Sequence, residues 1–429
     1  MSKTFTVLVW LLTRGIVLLL LVGPHSWVLG DVDYFAQSLR AVPEVGLAST
    51  LVEYPLPGIA LVAVPWLLAD VTGHAGLYPE MVVGFALLTD AAFTGILWHI
   101  ARTSSPDRAR PAAVGAWLLA VPVLGATTFA RFDLAPGVLA GVAVLLLGRA
   151  PRWAALAAAV ATGMKLWPAL ILPALAAPAG SRRRVILVVS ATGAVLAGAA
   201  VLLGGWGRLF SPLIWQADRG LQVESVLATP VMVAWAFGSP AHVVGYSSYY
   251  AYEVEGSGVS ALLAVSDLLT VLALLAVVTL WARVWRRGAS MGVDSVVWMC
   301  LASVSAFLVT SKVLSPQYFL WLLPLAAASL AVVRDERASR RLRRWTAVLL
   351  LAAAATHLVF PVLYVHLAIY DQWSAWVAVL LAVRNGILVW LAGRAFAEAW
   401  WCVGSEPQRG SALERQPLGP DGSEVRAPR

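Results

Sequence analysis

The sequence predicts an all-α protein that crosses a membrane many times. Hydrophobic residues make up 60% of its 429 residues and charged residues only 13%, about half of the roughly 25% found in soluble proteins. Apolar runs long enough to cross a hydrocarbon core of about 30 Å recur along most of the chain. Arginine clusters separate many of these runs, as is typical of cytoplasmic loops.

One membrane domain, residues 1–402, and a disordered cytoplasmic tail, residues 403–429, are predicted. The tail is rich in Pro, Gly and mixed charges. The net charge of +8 does not indicate nucleic-acid binding, because the basic residues sit in short loops between apolar runs. Cys300 lies within an apolar run and Cys402 at the end of the last one, so neither a disulfide framework nor a thiolate metal site is expected.

The basic clusters fix the cytoplasmic side, and the runs between them must begin and end on consistent sides. The first run, residues 7–22, contains Arg14 and lacks a small-residue cleavage site, so it is interpreted as an uncleaved span. Arg14 is a candidate ion-pair partner for Asp90, since charges inside spans need partners. The other single crossings are predicted at 81–101, 111–129, 134–149, 185–203, 259–284, 292–310, 317–333, 345–364 and 375–397.

Three further apolar runs do not fit a single crossing. The run 55–69 contains three prolines and has acidic flanks, which predicts a helix lying in the outer interface. The run 153–179 begins and ends beside basic clusters, which predicts two short half-helices that meet at Lys165 near the outer face. The run 226–238 is predicted to be re-entrant or interfacial. The total is about twelve crossings of the cell membrane, with both termini in the cytoplasm.

The outer segments 23–80 and 204–258 are long and polar, so the function is expected on the outer face. The first of them opens with G-D-V-D-Y-F, in which Asp31 and Asp33 lie just beyond the first span. A carboxylate at this position can act as a general base. The alternative interpretation is a helix cap or a solvated pair of acids.

Two further polar motifs flank predicted outer turns. Glu53 and Tyr54 precede two prolines in V-E-Y-P-L-P, where the alternative to a binding role is a helix entry with an interfacial tyrosine. Arg131 and Asp133 lie in A-R-F-D-L-A-P-G, where the alternative is a local ion pair that caps the turn.

Two of the three lysines in the chain, Lys165 and Lys312, interrupt apolar runs at predicted outer-face breaks. A cation there needs an anion, for which a phosphate is a natural partner, or else it extends to the lipid headgroups. His357 is placed toward the outer half of its predicted span and is a candidate for reaching the same side.

The second long outer segment contains W-Q-A-D-R-G-L-Q-V-E-S, with Arg219, Gln222 and Glu224 close together. On a helix, Gln222 shares a face with Asp218 and with Arg219. Amide, carboxylate and guanidinium groups beside a tryptophan favour a sugar-binding surface, and the alternative is a solvated amphipathic helix on the membrane. The tyrosine-rich stretch 246–252 is typical of an aromatic belt or of a stacking wall.

Together these motifs resemble glycosyltransferase family 87, which includes PimE-like polyprenol-phosphate-mannose-dependent mannosyltransferases of the C-type glycosyltransferase fold. The resemblance covers residues 30–324, and one departure is Glu53-Tyr54-Pro55-Leu56-Pro57, where the family usually has E-Y-P-P. The motifs that carry it are G-D-V-D-Y-F, E-Y-P-L-P, R-F-D-L-A-P, K-L-W-P, R-G-L-Q-V-E-S and S-P-Q-Y-F-L-W-L-L-P.

The resemblance implies inverting transfer of a sugar, usually mannose, from a polyprenyl phosphate to a glycolipid or lipoglycan acceptor without a nucleotide. It also implies a base just after the first span, which Asp31 matches best and Asp33 second. The phosphate leaves as a stable anion, so it needs cations and hydrogen-bond donors rather than a general acid. The chemistry does not require a metal, although metal binding by D-V-D is an alternative, and no cofactor is expected. The candidate cations are Lys165, Arg219, Arg131 and Lys312.

Three alternatives stay open at the level of sequence. A related transferase could move another polyprenyl-phosphate sugar such as arabinofuranose. A lipid or solute transporter would place ionisable groups along a path near the middle of the membrane, whereas these lie mostly at the outer surface, and no internal repeat is apparent. A non-catalytic assembly subunit would tolerate the loss of Asp31 and Lys165. The partners expected are the donor, the acceptor and membrane lipids, and no nucleic acid.

Overall fold

The computed structural model describes residues 2–103, 110–287 and 291–405, and the description of side chains stops at residue 402. The tail predicted for 403–429 lies outside the described residues except for 403–405, which end the last helix.

Helices dominate the first half of the chain. The segments between them contain short 3₁₀ turns at Ser26–Leu29, Ala75–Leu77 and Trp167–Ile171. The helices are α1 Lys3–Val22, α2 Gly30–Arg40, α3 Val42–Val45, α4 Leu56–Val71, α5 Tyr78–Thr103, α6 Arg110–Leu124, α7 Thr127–Ala130, α8 Leu134–Leu145, α9 Pro151–Met164, α10 Leu172–Leu175 and α11 Arg182–Asp218.

The second half adds a small sheet to the helices. A 3₁₀ turn lies at Pro316–Tyr318 and a π turn at Leu358–Val362. The strands are β1 Leu221–Gln222, β2 His242–Tyr246 and β3 Tyr252–Gly256. The helices are α12 Thr229–Ala236, α13 Val259–Arg287, α14 Val293–Thr310, α15 Phe319–Val332, α16 Glu336–His357, α17 Val365–Ala368 and α18 Ser374–Ser405.

Among the described residues, seven helices are long and apolar enough to cross a membrane, namely α1, α5, α11, α13, α14, α16 and α18. Shorter apolar helices include α4, α6, α8 and the segment Pro316–Val332. The chain is therefore a membrane protein of mostly helical structure, and the count of about twelve crossings stays a prediction. The eight-residue α12 spans only about 12 Å, in keeping with the prediction that 226–238 does not cross on its own.

The prediction of an all-α fold was wrong in one region. The strands form an antiparallel sheet of order β1-β3-β2, in which Tyr246 pairs with Tyr252 and Val244 with Val254. Aromatic and β-branched residues favour a pleated surface, and the tyrosines of 246–252, for which an aromatic belt or a stacking wall is considered, belong to a β-hairpin.

The helix considered across residues 215–225 does not form, because α11 ends at Asp218 and Arg219 is extended. Gln222 lies in β1 and pairs with Glu253 of β3. Because Gln222 lies in a strand, it shares no helical face with Asp218 or Arg219.

The helix α15 is the centre of the molecule, since every residue from Phe319 to Val332 is buried. It packs closely on α8 through two glycines, one turn of helix apart. A Cβ atom on Gly137 would stand 2.0 Å from the carbonyl oxygen of Leu320, and one on Gly141 would stand 3.0 Å from that of Pro324. Small residues at this spacing let two helix backbones approach each other in a membrane.

The break predicted at Lys165 is present. The helix α9 ends at Met164, Lys165 is extended, and the chain returns through the 3₁₀ turn and the single turn α10. Pro168 cannot donate a backbone hydrogen bond and therefore does not continue the helix. Gly58 of α4 lies against this end of α9, because a Cβ atom there would stand 2.5 Å from the carbonyl oxygen of Met164.

The predicted ion pair between Arg14 and Asp90 is confirmed. Asp90 accepts hydrogen bonds from Arg14 Nε and Nη2, each at 2.8 Å, and from the indoles of Trp10 at 2.7 Å and Trp117 at 2.8 Å. Arg14 also donates to the carbonyl oxygen of Leu118. The cluster is buried and joins α1, α5 and α6.

We expect Asp90→Ala to destabilise the protein by about 3–5 kcal/mol, because it leaves the buried Arg14 charge without its carboxylate. The measurement is the midpoint of thermal unfolding in detergent. Asp70→Ala is the control, since Asp70 is exposed at the end of α4. Equal midpoints for the two variants would contradict a structural role for the pair.

Candidate active site

A cavity of about 700 Å³ lies between the short segments that connect the helices. It is lined mainly by the first turns of α2, by the segment before α4, by the loops at the ends of α7 and α9, by the end of α11 and the sheet, and by the segments before α15 and around α17. Those of its lining residues that the sequence predicted are Asp31, Glu53, Tyr54, Arg131, Lys165, Arg219 and Gln222.

Asp31 stands in the first turn of α2, and its side chain remains 41% exposed. Its Oδ2 atom lies 2.6 Å from Arg131 Nη1, and the same nitrogen donates to the carbonyl oxygen of Val28 at 3.1 Å. Arg131 also lies over the ring of Phe360, 5.7 Å from its centroid. Arg131 is therefore fixed on three sides and orients the Asp31 carboxylate at the cavity wall.

Lys165 is held by a carboxylate from the neighbouring helix. Its Nζ atom donates to Oδ1 and Oδ2 of Asp133 at 2.7 and 2.9 Å. Asp133 is buried at the start of α8 and also accepts a hydrogen bond from Trp321 Nε1 at 2.6 Å. The rings of Tyr54, Tyr318 and Trp321 surround the ammonium group at 5.4–5.8 Å. An ammonium has three donors, so one remains for a ligand.

The local ion pair considered between Arg131 and Asp133 does not form. Each residue pairs instead with a partner far along the chain, Arg131 with Asp31 and Asp133 with Lys165. Phe132 between them contacts Tyr54, with ring centroids 5.0 Å apart. The turn therefore directs Arg131 to the cavity lining and Asp133 into the buried interior beside Lys165.

Glu53 is a second carboxylate in the cavity. Its Oε1 atom accepts a hydrogen bond from Tyr34 Oη at 2.9 Å, and its Oε2 atom is enclosed without a hydrogen-bond partner among the described residues. Burial raises the pKa of the Glu53 carboxyl above its usual value, against the smaller opposing effects of its own backbone N–H, Tyr34, Arg208 and Lys165. Burial likewise raises the pKa of Tyr34, so this phenol stays protonated and donates.

Arg208, which the sequence analysis missed, clamps the segment that carries Glu53. It is buried in α11 beyond the kink at Gly205, and its guanidinium donates to the carbonyl oxygens of residues 50, 51, 52 and 54. These groups lie before α4 in a turn that includes Leu51 at φ 46°. The only available signal was an arginine in an otherwise apolar stretch, and its partners lie about 155 residues away.

Gln222 and Arg219 line the opposite wall. Gln222 Oε1 accepts from the backbone N–H of Leu314 at 2.8 Å, and its Nε2 donates to Ser315 Oγ at 3.3 Å. Arg219 Nε lies 3.9 Å from Oε1 of Glu253. These contacts tie the sheet to the segment that precedes α15.

Tyrosines of the β-hairpin close the cavity. Tyr250 contacts Tyr34 at a centroid distance of 4.5 Å, and Tyr249 contacts Trp215 at 4.9 Å. Tyr252 contacts Tyr364 at 5.8 Å. Aromatic faces with polar edges suit a sugar ring, which presents both C–H and O–H groups.

One side of the cavity is apolar. Trp27, Val362, Val365, Ala368 and Ile369 line it. Trp27 is 51% exposed, Val365 52% and Ile369 63%, so this side opens to the outside of the molecule. In a membrane protein such an opening faces lipid or the interface.

The other predicted residues do not line this cavity. Asp33 is exposed on α2, and residues two apart on a helix point in different directions. Glu224 is fully buried 3.0 Å from Arg384, and burial raises its pKa to about 7. Lys312 Nζ donates to the carbonyl oxygen of Ala217 at 2.6 Å.

His357 also lies outside the cavity lining, at the end of α16. Its Nδ1 atom lies 3.0 Å from the carbonyl oxygen of Val123, and its ring contacts His25 at 5.5 Å. Its neighbour in the chain, the Leu358–Val362 turn, brings Phe360 to the cavity instead.

A family model for glycosyltransferase family 87 matches residues 53–266, and no curated protein or solved structure matches the chain. The matched range begins at Glu53 and includes Arg131, Lys165 and Arg219, whereas Asp31 precedes it. These residues all line the cavity described above. The chain belongs to glycosyltransferase family 87 and is a membrane-embedded glycosyltransferase.

Proposed function

We propose that the protein transfers a sugar, most simply mannose, from a polyprenyl phosphate to a hydroxyl of a glycolipid or lipoglycan. The observation that carries the proposal is that one cavity combines a carboxylate, cations and an apolar opening. Asp31 supplies the carboxylate, Lys165 and Arg219 supply the cations, and the side around Val365 supplies the opening. A lipid-linked phosphosugar has three matching parts. Its sugar reacts beside the carboxylate, its phosphate suits the cations, and its prenyl chain suits the apolar opening.

The reaction follows from this arrangement. Asp31 accepts the proton of the acceptor hydroxyl while the hydroxyl oxygen attacks the anomeric carbon. The new bond forms on the face opposite the phosphate, the bond from the anomeric carbon to the phosphate oxygen breaks, and the anomeric configuration inverts. Polyprenyl phosphate leaves with the electron pair of the broken bond. Neither a metal nor an organic cofactor has a part in this scheme.

The leaving phosphate needs positive charge and hydrogen-bond donors more than it needs a proton. Lys165 has an uncommitted donor in an aromatic surround, where a charge interaction is less screened than in water. Arg219 keeps most of its five donors, since its nearest acid is 3.9 Å away. We place the phosphate between these two residues.

The prenyl chain leaves the cavity through the apolar opening at Trp27, Val365 and Ile369. Burial of its methylene and methyl groups there contributes about 25 cal/mol per Å² of apolar surface removed from water. In this proposal the cavity faces the outer side of the cell membrane and both termini lie in the cytoplasm, in accord with the arginine clusters between spans.

We expect membranes that contain the protein to transfer label from radiolabelled mannosyl-phosphopolyprenol into a glycolipid, and Asp31→Asn to reduce the rate by roughly 10²–10⁴-fold. The amide keeps the shape but cannot accept the proton. Asp33→Asn is the matched control, because it removes the exposed carboxylate of the same motif.

Transfer by Asp31→Asn at the rate of the control variant would reject Asp31 as the base. If the wild type transfers nothing from mannosyl-phosphopolyprenol, the donors to test next are other polyprenyl-phosphate sugars, including arabinofuranosyl. Failure of the whole panel would favour a transporter instead.

We expect Lys165→Ala to raise the KM for the donor more than the KM for the acceptor, since only the donor carries the phosphate. Arg219→Ala is the companion variant, because it removes the other proposed phosphate ligand and leaves the buried Asp133 paired with Lys165. Initial rates measured over a grid of donor and acceptor concentrations separate the two constants. Equal effects on donor and acceptor in both variants would contradict the phosphate site.

We expect Val365→Asp to impair use of a long polyprenyl donor while leaving a donor with a single isoprene unit almost unaffected. A carboxylate at the opening opposes an apolar chain but not a short one that stays inside. Val243→Asp is the control, since Val243 is 62% exposed on β2 and does not line the cavity. Equal loss with both donors would place the chain elsewhere.

A further inference from the structure

The proposed reaction uses Asp31 but gives no role to the second carboxylate of the cavity, Glu53. A carboxylate offers about four lone-pair positions. Among the described residues, Glu53 receives one side-chain hydrogen bond, from Tyr34, and its Oε2 atom has no partner. Glu53 lines the cavity, so the acceptor capacity that Tyr34 leaves open on Oε1 is suited to a ligand that brings hydrogen-bond donors.

The position of Glu53 indicates which part of the ligand it meets. Glu53, its chain neighbour Tyr54 and Lys165 line the same cavity, and Lys165 Nζ stands 5.7 Å from the centre of the Tyr54 ring. In the donor, the sugar is bonded directly to the phosphate. A phosphate at Lys165 therefore keeps the transferred sugar close to the part of the cavity that Tyr54 and Glu53 line.

The surroundings hold this carboxylate in place. Tyr34 Oη fixes one oxygen at 2.9 Å, and Tyr34 is itself held by its contact with Tyr250. Arg208 fixes the backbone on both sides of Glu53 through the carbonyl oxygens of Val52 and Tyr54. The terminal torsion of the Glu53 side chain has a broad energy minimum, and a half-turn about it exchanges the positions of the two carboxylate oxygens. Such a preorganised acceptor favours discrimination among sugars.

We propose that Glu53 binds one hydroxyl of the transferred sugar and thereby sets which sugar the enzyme accepts. The inference rests on the proposed transfer from a polyprenyl-phosphate sugar. A donor that lacks this hydroxyl leaves a buried acceptor unpaired, and sites built around a hydroxyl reject such analogues strongly. Tyr34 and Arg208 are positioning residues, since they act through Glu53.

The test measures kcat/KM for the complete donor and for its monodeoxy analogues, each lacking one ring hydroxyl. Wild type is compared with Glu53→Ala, and Glu44→Ala is the control, because Glu44 is an exposed acid of the same outer segment. We expect wild type and Glu44→Ala to penalise one deoxy position by roughly 10- to 150-fold, the range for a hydrogen bond to a charged group. In Glu53→Ala that penalty falls to about 1 while the other positions keep theirs.

A uniform loss of activity in Glu53→Ala, with the wild-type pattern of deoxy penalties retained, overturns the inference and makes Glu53 structural or catalytic. The inference is also overturned if the wild-type enzyme uses every monodeoxy donor as well as it uses the complete donor. If wild type transfers none of the complete polyprenyl-phosphate sugars, the proposed function itself fails, which is a different result from either of these.

Tyr34→Phe keeps the inference testable if Glu53→Ala does not fold. It leaves the carboxylate and the aromatic ring in place and removes only the hydroxyl group that donates to the carboxylate. We expect the penalty at the same deoxy position to fall about severalfold while the pattern at other positions persists. An unchanged penalty at that position, or equal losses with every donor, would contradict the role.

Discussion

The buried carboxylate of Asp133 is the contact on which the architecture of the cavity depends. It accepts hydrogen bonds from Lys165 at the end of α9 and from Trp321 of α15, while its own backbone begins α8. A buried charge is costly unless it is paired and hydrogen-bonded, so this pairing favours the arrangement in which the three elements meet. The close approach of α8 and α15 at Gly137 makes the meeting possible. One ion pair thus fixes both the core and the position of the cavity's lysine.

The positively charged side chains that line the cavity are each paired with a carboxylate. Arg131 faces Asp31, Lys165 faces Asp133, and Arg219 faces Glu253, so each cation has a carboxylate beside it. This pairing keeps isolated charges out of a weakly polar surround. It also means that a bound phosphate competes with carboxylates that are already in place. Selective binding then depends on geometry, on uncommitted donors and on the apolar opening, rather than on net positive charge.

The sequence predicted features that depend on local pattern. Hydrophobic runs located the long helices, and Pro168 indicated the break at Lys165. Most candidate site residues indeed share one cavity. Contacts between residues distant in the chain could not be predicted. No local sequence pattern indicates that Asp31 pairs with Arg131 or that Arg208 binds the segment before α4. The β-hairpin was missed because Tyr-rich segments suit both a membrane interface and a strand.

The most direct test of the account is where the donor's phosphate binds. A second groove of about 400 Å³ lies between α11 and α13, lined by Trp281 and Trp285, with Arg182 over the ring of Trp285. It offers a competing place for a lipid with an anionic head. A cryo-EM map of the protein with a phosphonate analogue of mannosyl-phosphopolyprenol distinguishes the two. Our account predicts the phosphonate within about 3 Å of Lys165 or Arg219, with the sugar toward Asp31. A phosphonate bound beside Arg182 would contradict it.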